Sequence, residues 1–117
     1  MKKIAVNGFG RIGRAALKVI LNTPGLEIVA INDLMNIENA AYLLRYDSVY
    51  GKFEHEVTIR GSYLRVVDKE VLFISEKDPA KLPWKELGID VVIESTGVFT
   101  NRKDAEKHIQ AGAKHVL

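Results

Sequence analysis

The sequence predicts an α/β domain, a doubly wound and mainly parallel sheet with a small antiparallel meander inserted. Short apolar runs that do not alternate, Ile4-Ala5-Val6, Ile28-Val29-Ala30-Ile31 and Asp90-Val91-Val92-Ile93, suit strands buried on both faces. Segments of helical period separate them, which implies right-handed βαβ crossovers. In the middle of the chain the period shortens, and brief strand-like runs are split by turn residues.

Taken in order, Ile4-Ala5-Val6 leads into a glycine cluster and then a helix. Ile12, Ala15, Ala16, Val19 and Ile20 share the spacing of one helical face, expected to be buried, until Thr23-Pro24-Gly25 stops the helix. The second strand, 28–31, ends at Asn32-Asp33. Asn36 then caps a helix whose inner face is Ile37, Ala40, Ala41 and Leu44. Runs at 57–59, 63–67 and 71–74, broken at Arg60-Gly61-Ser62 and Asp68-Lys69, form the meander. Asp78-Pro79 through Leu87-Gly88 gives a turn with one short helical segment. The next strand, 90–93, is followed by the loop Ser95-Thr96-Gly97. A helix capped by Asn101 runs to Ala111 and stops at Gly112, and Lys114-His115-Val116-Leu117 begins one more strand.

Composition narrows the function. The 117 residues carry a formal charge of +2 with basic and acidic side chains interspersed, which argues against a nucleic-acid partner despite a pI near 8.9. No run approaches membrane-spanning length, and the reading is cytoplasmic. There is no cysteine, so disulfides, thiolate metal sites and a thiolate nucleophile are all excluded within these residues.

Gly8-Phe9-Gly10-Arg11-Ile12-Gly13 fits G-x-G-x-x-G with a strand before it and a helix starting inside it. In that context Gly8 permits the tight turn, Gly10 admits a pyrophosphate close to the backbone, and Gly13 lets helix and strand pack closely. Amides near Arg11 and Ile12 then face the phosphates from the positive end of the helix. Asp33 lies about 20 residues past the last glycine, where a carboxylate accepts from the ribose hydroxyls and repels a 2′-phosphate, favouring NAD over NADP. A plain strand-to-helix turn and a turn-capping aspartate are the bland alternatives, and the two features together favour the Rossmann-type dinucleotide site. Ser95-Thr96-Gly97 stands at a strand's carboxyl end, where ligand crevices form, but a surface turn explains it equally well.

Asn7-Gly8-Phe9-Gly10-Arg11-Ile12-Gly13-Arg14, Ala30-Ile31-Asn32-Asp33, Tyr46-Asp47-Ser48-Val49, Asp78-Pro79 with Leu82-Pro83-Trp84, and Glu94-Ser95-Thr96-Gly97-Val98-Phe99 follow one another in this order. The series resembles phosphorylating glyceraldehyde-3-phosphate dehydrogenase over the whole chain. The resemblance implies an NAD-binding domain over 1–117 and, for the whole enzyme, glycolytic oxidation of an aldehyde to an acyl phosphate by a homotetramer. It implies that main-chain groups of Arg11 and Ile12 hold the pyrophosphate and that Asp33, with Asn32 beside it, holds the adenosine ribose. Lys77 stands where the family usually has arginine at the adenine pocket, a contact made mainly through the backbone, and Thr96, Gly97 and Phe99 line the adenine side. Tyr50 replaces a common histidine, a departure that bears on packing or an interface. The family's nucleophilic cysteine, its histidine partner, its phosphate-binding residues and the substrate domain are expected beyond Leu117. The chain is therefore expected to contain no catalytic residue, to bind NAD without catalysing, and to self-associate or have limited stability through exposed apolar surface and an unpaired sheet edge. An erythrose-4-phosphate dehydrogenase-type domain and a non-catalytic nucleotide- or RNA-binding module are the alternatives.

The remaining polar residues suggest no second chemistry. Asp104 and His108, four apart, are expected to be an exposed side-chain pair on a helix, since no third metal ligand lies at suitable spacing. His55 and His115 have no evident partner, and Trp84 is expected to be a packing anchor.

Overall fold

The computed structural model describes residues 1–49, 56–66, 69–96 and 102–117, with backbone alone at 47–49 and 102–104. Its centre is β1 (Lys2–Asn7), in which Ala5 and Val6 are fully buried because neighbouring strands flank it and apolar clusters cover both faces. The helix α1 (Arg11–Leu21) leads to β2 (Leu26–Asn32), and α2 (Ile37–Val49) follows. The meander comprises β3 (Val57–Arg60), β4 (Tyr63–Val66) and β5 (Lys69–Ile74). A 3-10 turn at Pro79–Lys81 and the single-turn α3 (Trp84–Leu87) precede β6 (Val91–Glu94), α4 (Arg102–Gln110) and β7 (His115–Val116).

The seven strands form one sheet in the order β3-β4-β5-β2-β1-β6-β7. β2, β1, β6 and β7 run parallel, β3-β4-β5 is antiparallel, and β5 also pairs parallel with β2, so one strand joins the two parts. The chain leaves β1 towards β2 and later returns to its other side at β6. That reversal opens a crevice at the carboxyl ends of the strands.

The core has two layers. Ile4, Val6, Leu17, Ile20, Ile31 and Leu44 pack α1 and α2 on one face, whereas Ala5, Ala30, Leu82, Trp84, Ile89 and Val92 pack the other. β1 and β2 slip by one residue between Ile4 and Ala5, which pair with Ile28 and Ala30. Val29 is left between them, and both Val29 and Ala30 join the Trp84 side. Trp84 is fully buried, in keeping with its expected anchoring role.

The inner face of α2 is as expected, and the Asn36 side chain accepts from Asn39 N–H at 2.7 Å. The face of α1 is not. Its buried residues are Gly13, Leu17 and Ile20, while Ile12 is 71% and Val19 63% exposed and Ala15 also faces outward. A Cβ on Gly13 would overlap the Gly8 carbonyl oxygen, so the helix turns its glycine to the sheet at the point of closest approach. Leu17 and Ile20 follow one and two turns later on that same side. A pattern that counts only apolar side chains passes over the glycine that sets the face.

Candidate functional site

The glycine turn hangs between β1 and α1. Gly8 has φ +98°, and a Cβ there would lie 2.8 Å from the Thr96 nitrogen, so both its backbone shape and its neighbour require glycine. Gly10 is the N-cap residue of α1; no side chain caps the first-turn amides, and the place its own Cβ would take is open. Phe9 between them is fully buried and pins the turn to the core.

Beside this turn lies an open groove of about 910 Å³. Gly8, Gly10, Asn32, Asp33, Ser95 and Thr96 line it, and so does the exposed Lys77. Arg11 and Ile12 stand exposed at the start of α1, and Gly13 lies buried beneath the turn. Gly97 and Phe99 fall outside the described residues, as do Tyr50, His55 and Asn101.

Asp33, just past β2, accepts from Phe9 N–H at 2.6 Å through Oδ2 and from Met35 N–H at 3.0 Å through Oδ1. The carboxylate therefore shapes the turn and faces the groove at once. Two carboxylate oxygens offer about four acceptor positions, so these bonds leave capacity for further donors.

Asn32, Asn7 and Glu94 end three neighbouring strands in register. Asn32 Nδ2 donates to Asn7 Oδ1 at 2.8 Å, and Asn7 Nδ2 donates to Glu94 Oε2 at 2.7 Å. Asn32 also clamps the segment after β5: its Nδ2 donates to Glu76 O at 2.9 Å, and its Oδ1 accepts from Glu76 N–H at 2.8 Å. Both amide hydrogens of Asn32 are thus committed to protein, and its side chain braces the wall. Ser95 Oγ donates to Gly8 O at 2.7 Å, tying the far loop to the glycine turn.

Glu94 Oε1 accepts from Thr96 N–H at 3.1 Å and Thr96 Oγ1 at 2.6 Å, and its Oε2 lies 2.6 Å from His108 Nε2. Trp84 Nε1 donates to His108 Nδ1 at 3.0 Å. An indole nitrogen only donates, so Nδ1 accepts and the imidazole proton sits on Nε2, directed at Glu94. Burial alone raises the Glu94 carboxyl, but hydrogen bonds from His108, Thr96 and Asn7 outweigh it and hold it below the ordinary 4.5.

His108 is therefore not an exposed partner of Asp104. It is fully buried against Trp84 and Glu94. These partners lie 14 and 24 residues away, and the Asp104 side chain falls outside the described residues. Sequence reasoning also passed over Asn7 and Glu94 as structural residues; a polar residue ending each of three adjacent apolar strands is the signal that could have found them. Among the described residues no group of three or more His, Cys, Asp or Glu suits a metal ion, and no helix is long and apolar enough to cross a membrane.

Residues 2–102 match the family model described as glyceraldehyde 3-phosphate dehydrogenase, NAD binding domain. The chain is 55% identical to glyceraldehyde-3-phosphate dehydrogenase of Clostridium pasteurianum, over all of this chain and 35% of that protein. The enzyme of Geobacillus stearothermophilus is 50% identical over 98% of this chain and 34% of its own length. Enzyme 1 of Kluyveromyces lactis is 48% identical over the whole chain and 36% of its own. The chain thus spans about a third of the length of these relatives. By motif order, topology and these similarities, the chain belongs to the glyceraldehyde 3-phosphate dehydrogenase family, in the part that forms the NAD-binding domain.

Proposed function

We propose that the groove binds NAD and that residues 1–117 act as the cofactor domain of a phosphorylating aldehyde dehydrogenase. The observation that carries this reading is that Gly10, which opens the uncapped first turn of α1, and Asp33, which follows β2, line the same groove. The residues fit the group. The space before Gly10 is empty to the reach of a Cβ, and amides at a helix start suit a diphosphate. Gly10 and the main chain of Arg11 and Ile12 receive that diphosphate, while Gly8 and Gly13 hold the turn. Asp33 accepts from the adenosine ribose hydroxyls and disfavours a 2′-phosphate. The backbone of Lys77, with Thr96, Gly97 and Phe99, borders the adenine, and Ser95 and Asn32 brace the walls.

NAD, when bound, supplies the acceptor for a hydride. The chain contains no cysteine, so the thiolate chemistry of the family needs residues other than these 117, which bind the cofactor and do not themselves catalyse. For the whole protein we infer the glycolytic reaction on glyceraldehyde 3-phosphate, a homotetramer and a cytoplasmic setting, in keeping with the family.

Calorimetry of the chain with NAD and with NADP tests the reading. Binding of NAD at least about tenfold tighter than NADP is expected from the charge at Asp33. Equal affinities, or no binding by a folded sample, would overturn it.

A further inference from the structure

We infer that Glu94 is a positioning residue for cofactor binding: its carboxylate fixes Thr96 and the Asn7–Asn32 pair in the groove wall, anchored from behind by His108 and Trp84. The inference rests on the groove being a dinucleotide site. Glu94 and His108 are not among the residues that line the groove, so neither acts by touching the ligand. They act through residues that do line it. One Glu94 oxygen takes both donors of Thr96, and the other takes Asn7 Nδ2 and His108 Nε2. From Asn7 the chain continues to Asn32 and on to Glu76, both of which line the groove. On the other side His108 fixes α4, whose neighbouring Lys107 also lines the groove. One acid therefore sets the wall at the ends of β1, β2 and β6 together.

Four donors converge on this carboxylate, and only an acceptor-only group satisfies all of them. A carboxamide at 94 presents an NH₂ to Asn7 and His108 or to Thr96. Facing His108, it asks Nε2 to accept, which moves the ring proton to Nδ1 and against the Trp84 indole N–H. The mismatch is thereby passed to the one tryptophan of the chain.

The test uses the ¹⁵N-labelled 117-residue chain, reading fold by circular dichroism, NAD affinity by calorimetry, and the Trp84 indole N–H resonance. Glu94→Gln is expected to fold, to bind NAD at least about fivefold more weakly, and to shift the indole resonance. Glu94→Asp keeps the acceptors with shorter reach and should recover part of the affinity. A folded Glu94→Gln with unchanged NAD affinity overturns the inference, wherever the carboxamide directs its NH₂. Should Glu94→Gln not fold, His108→Asn removes the anchor alone. Weaker NAD binding by a folded His108→Asn supports the positioning role, and unchanged binding overturns it. If the parent chain binds no NAD, the cofactor reading fails on its own, while a shifted indole resonance in Glu94→Gln still supports the link from Glu94 through His108 to Trp84.

Discussion

Two strands flank β1, and each brings a carboxylate to the crevice end of the sheet: Asp33 just past β2 and Glu94 at the tip of β6. Asp33 is half-buried, lines the groove and holds two backbone amides of local turns. Glu94, its side chain 8% exposed, is saturated by Thr96, Asn7 and His108 and stands behind the groove wall. The same functional group thus has two uses, set by where its donors come from. Two backbone amides on one side leave acceptor capacity for a ligand; four convergent donors on the other, three of them side chains, leave none. Asp33 should govern which ligand enters, and Glu94 how firmly the site is built.

Substitutions separate these uses. The largest loss should come from the turn that both acids depend on: Gly13→Val drives a side chain into the Gly8 carbonyl and should cost about 3 kcal/mol in urea unfolding. Glu94→Ala, which leaves Asn7, Thr96 and His108 short of an acceptor, should cost about 2 kcal/mol. Asp33→Ala should cost only about 1 kcal/mol, because two donors lose an acceptor there against four at Glu94, yet it should narrow the preference for NAD over NADP much more than any change at Glu94 that folds. If Asp33→Ala proves the more destabilising of the two, the division between ligand choice and site building is wrong.

Acid provides a finer cut. The Glu94 carboxyl is held below 4.5 in the folded chain. Its contribution is therefore fully present above that value and is lost as pH falls through the lower folded value. The urea midpoint should decline on acidification below about pH 4.5, and a folded Glu94→Gln should decline less steeply over the same range. Equal slopes would remove Glu94 from the acid response. The smallest effect on stability belongs to Gly10→Ala, within about 0.5 kcal/mol, since a Cβ there meets nothing. NAD binding should nonetheless weaken, because that methyl occupies the space assigned to the diphosphate.

Much of this was legible from local pattern. Unalternating apolar runs marked β1, β2 and β6, the short period marked the meander, and the glycine spacing marked the start of α1. Each depends on residues close together in the chain. Three features depend on distant partners and were not legible. The inner face of α1 follows Gly13, whose absent side chain gives no apolar signal. β5 belongs to the meander and the parallel sheet at once, a matter of pairing with β2 and not of its own pattern. His108 is buried by Trp84 and Glu94, neither of which is near it in sequence. At the groove, Gly8, Gly10, Asn32, Asp33, Lys77, Ser95 and Thr96 come together, but the roles of Asn32 and Ser95 were incomplete. Their side chains brace walls, because Asn7, Glu76 and Gly8 take their donors.

The most direct measurement is a titration of the ¹⁵N-labelled chain with NAD, following the backbone amides one by one. The largest shifts are expected at Gly10, Arg11, Ile12 and Asp33, saturating together with a single dissociation constant. Shifts confined to the meander or to the outer face of α1, with those four amides unmoved, would show that the groove between the first helix and the second strand is not where the dinucleotide sits.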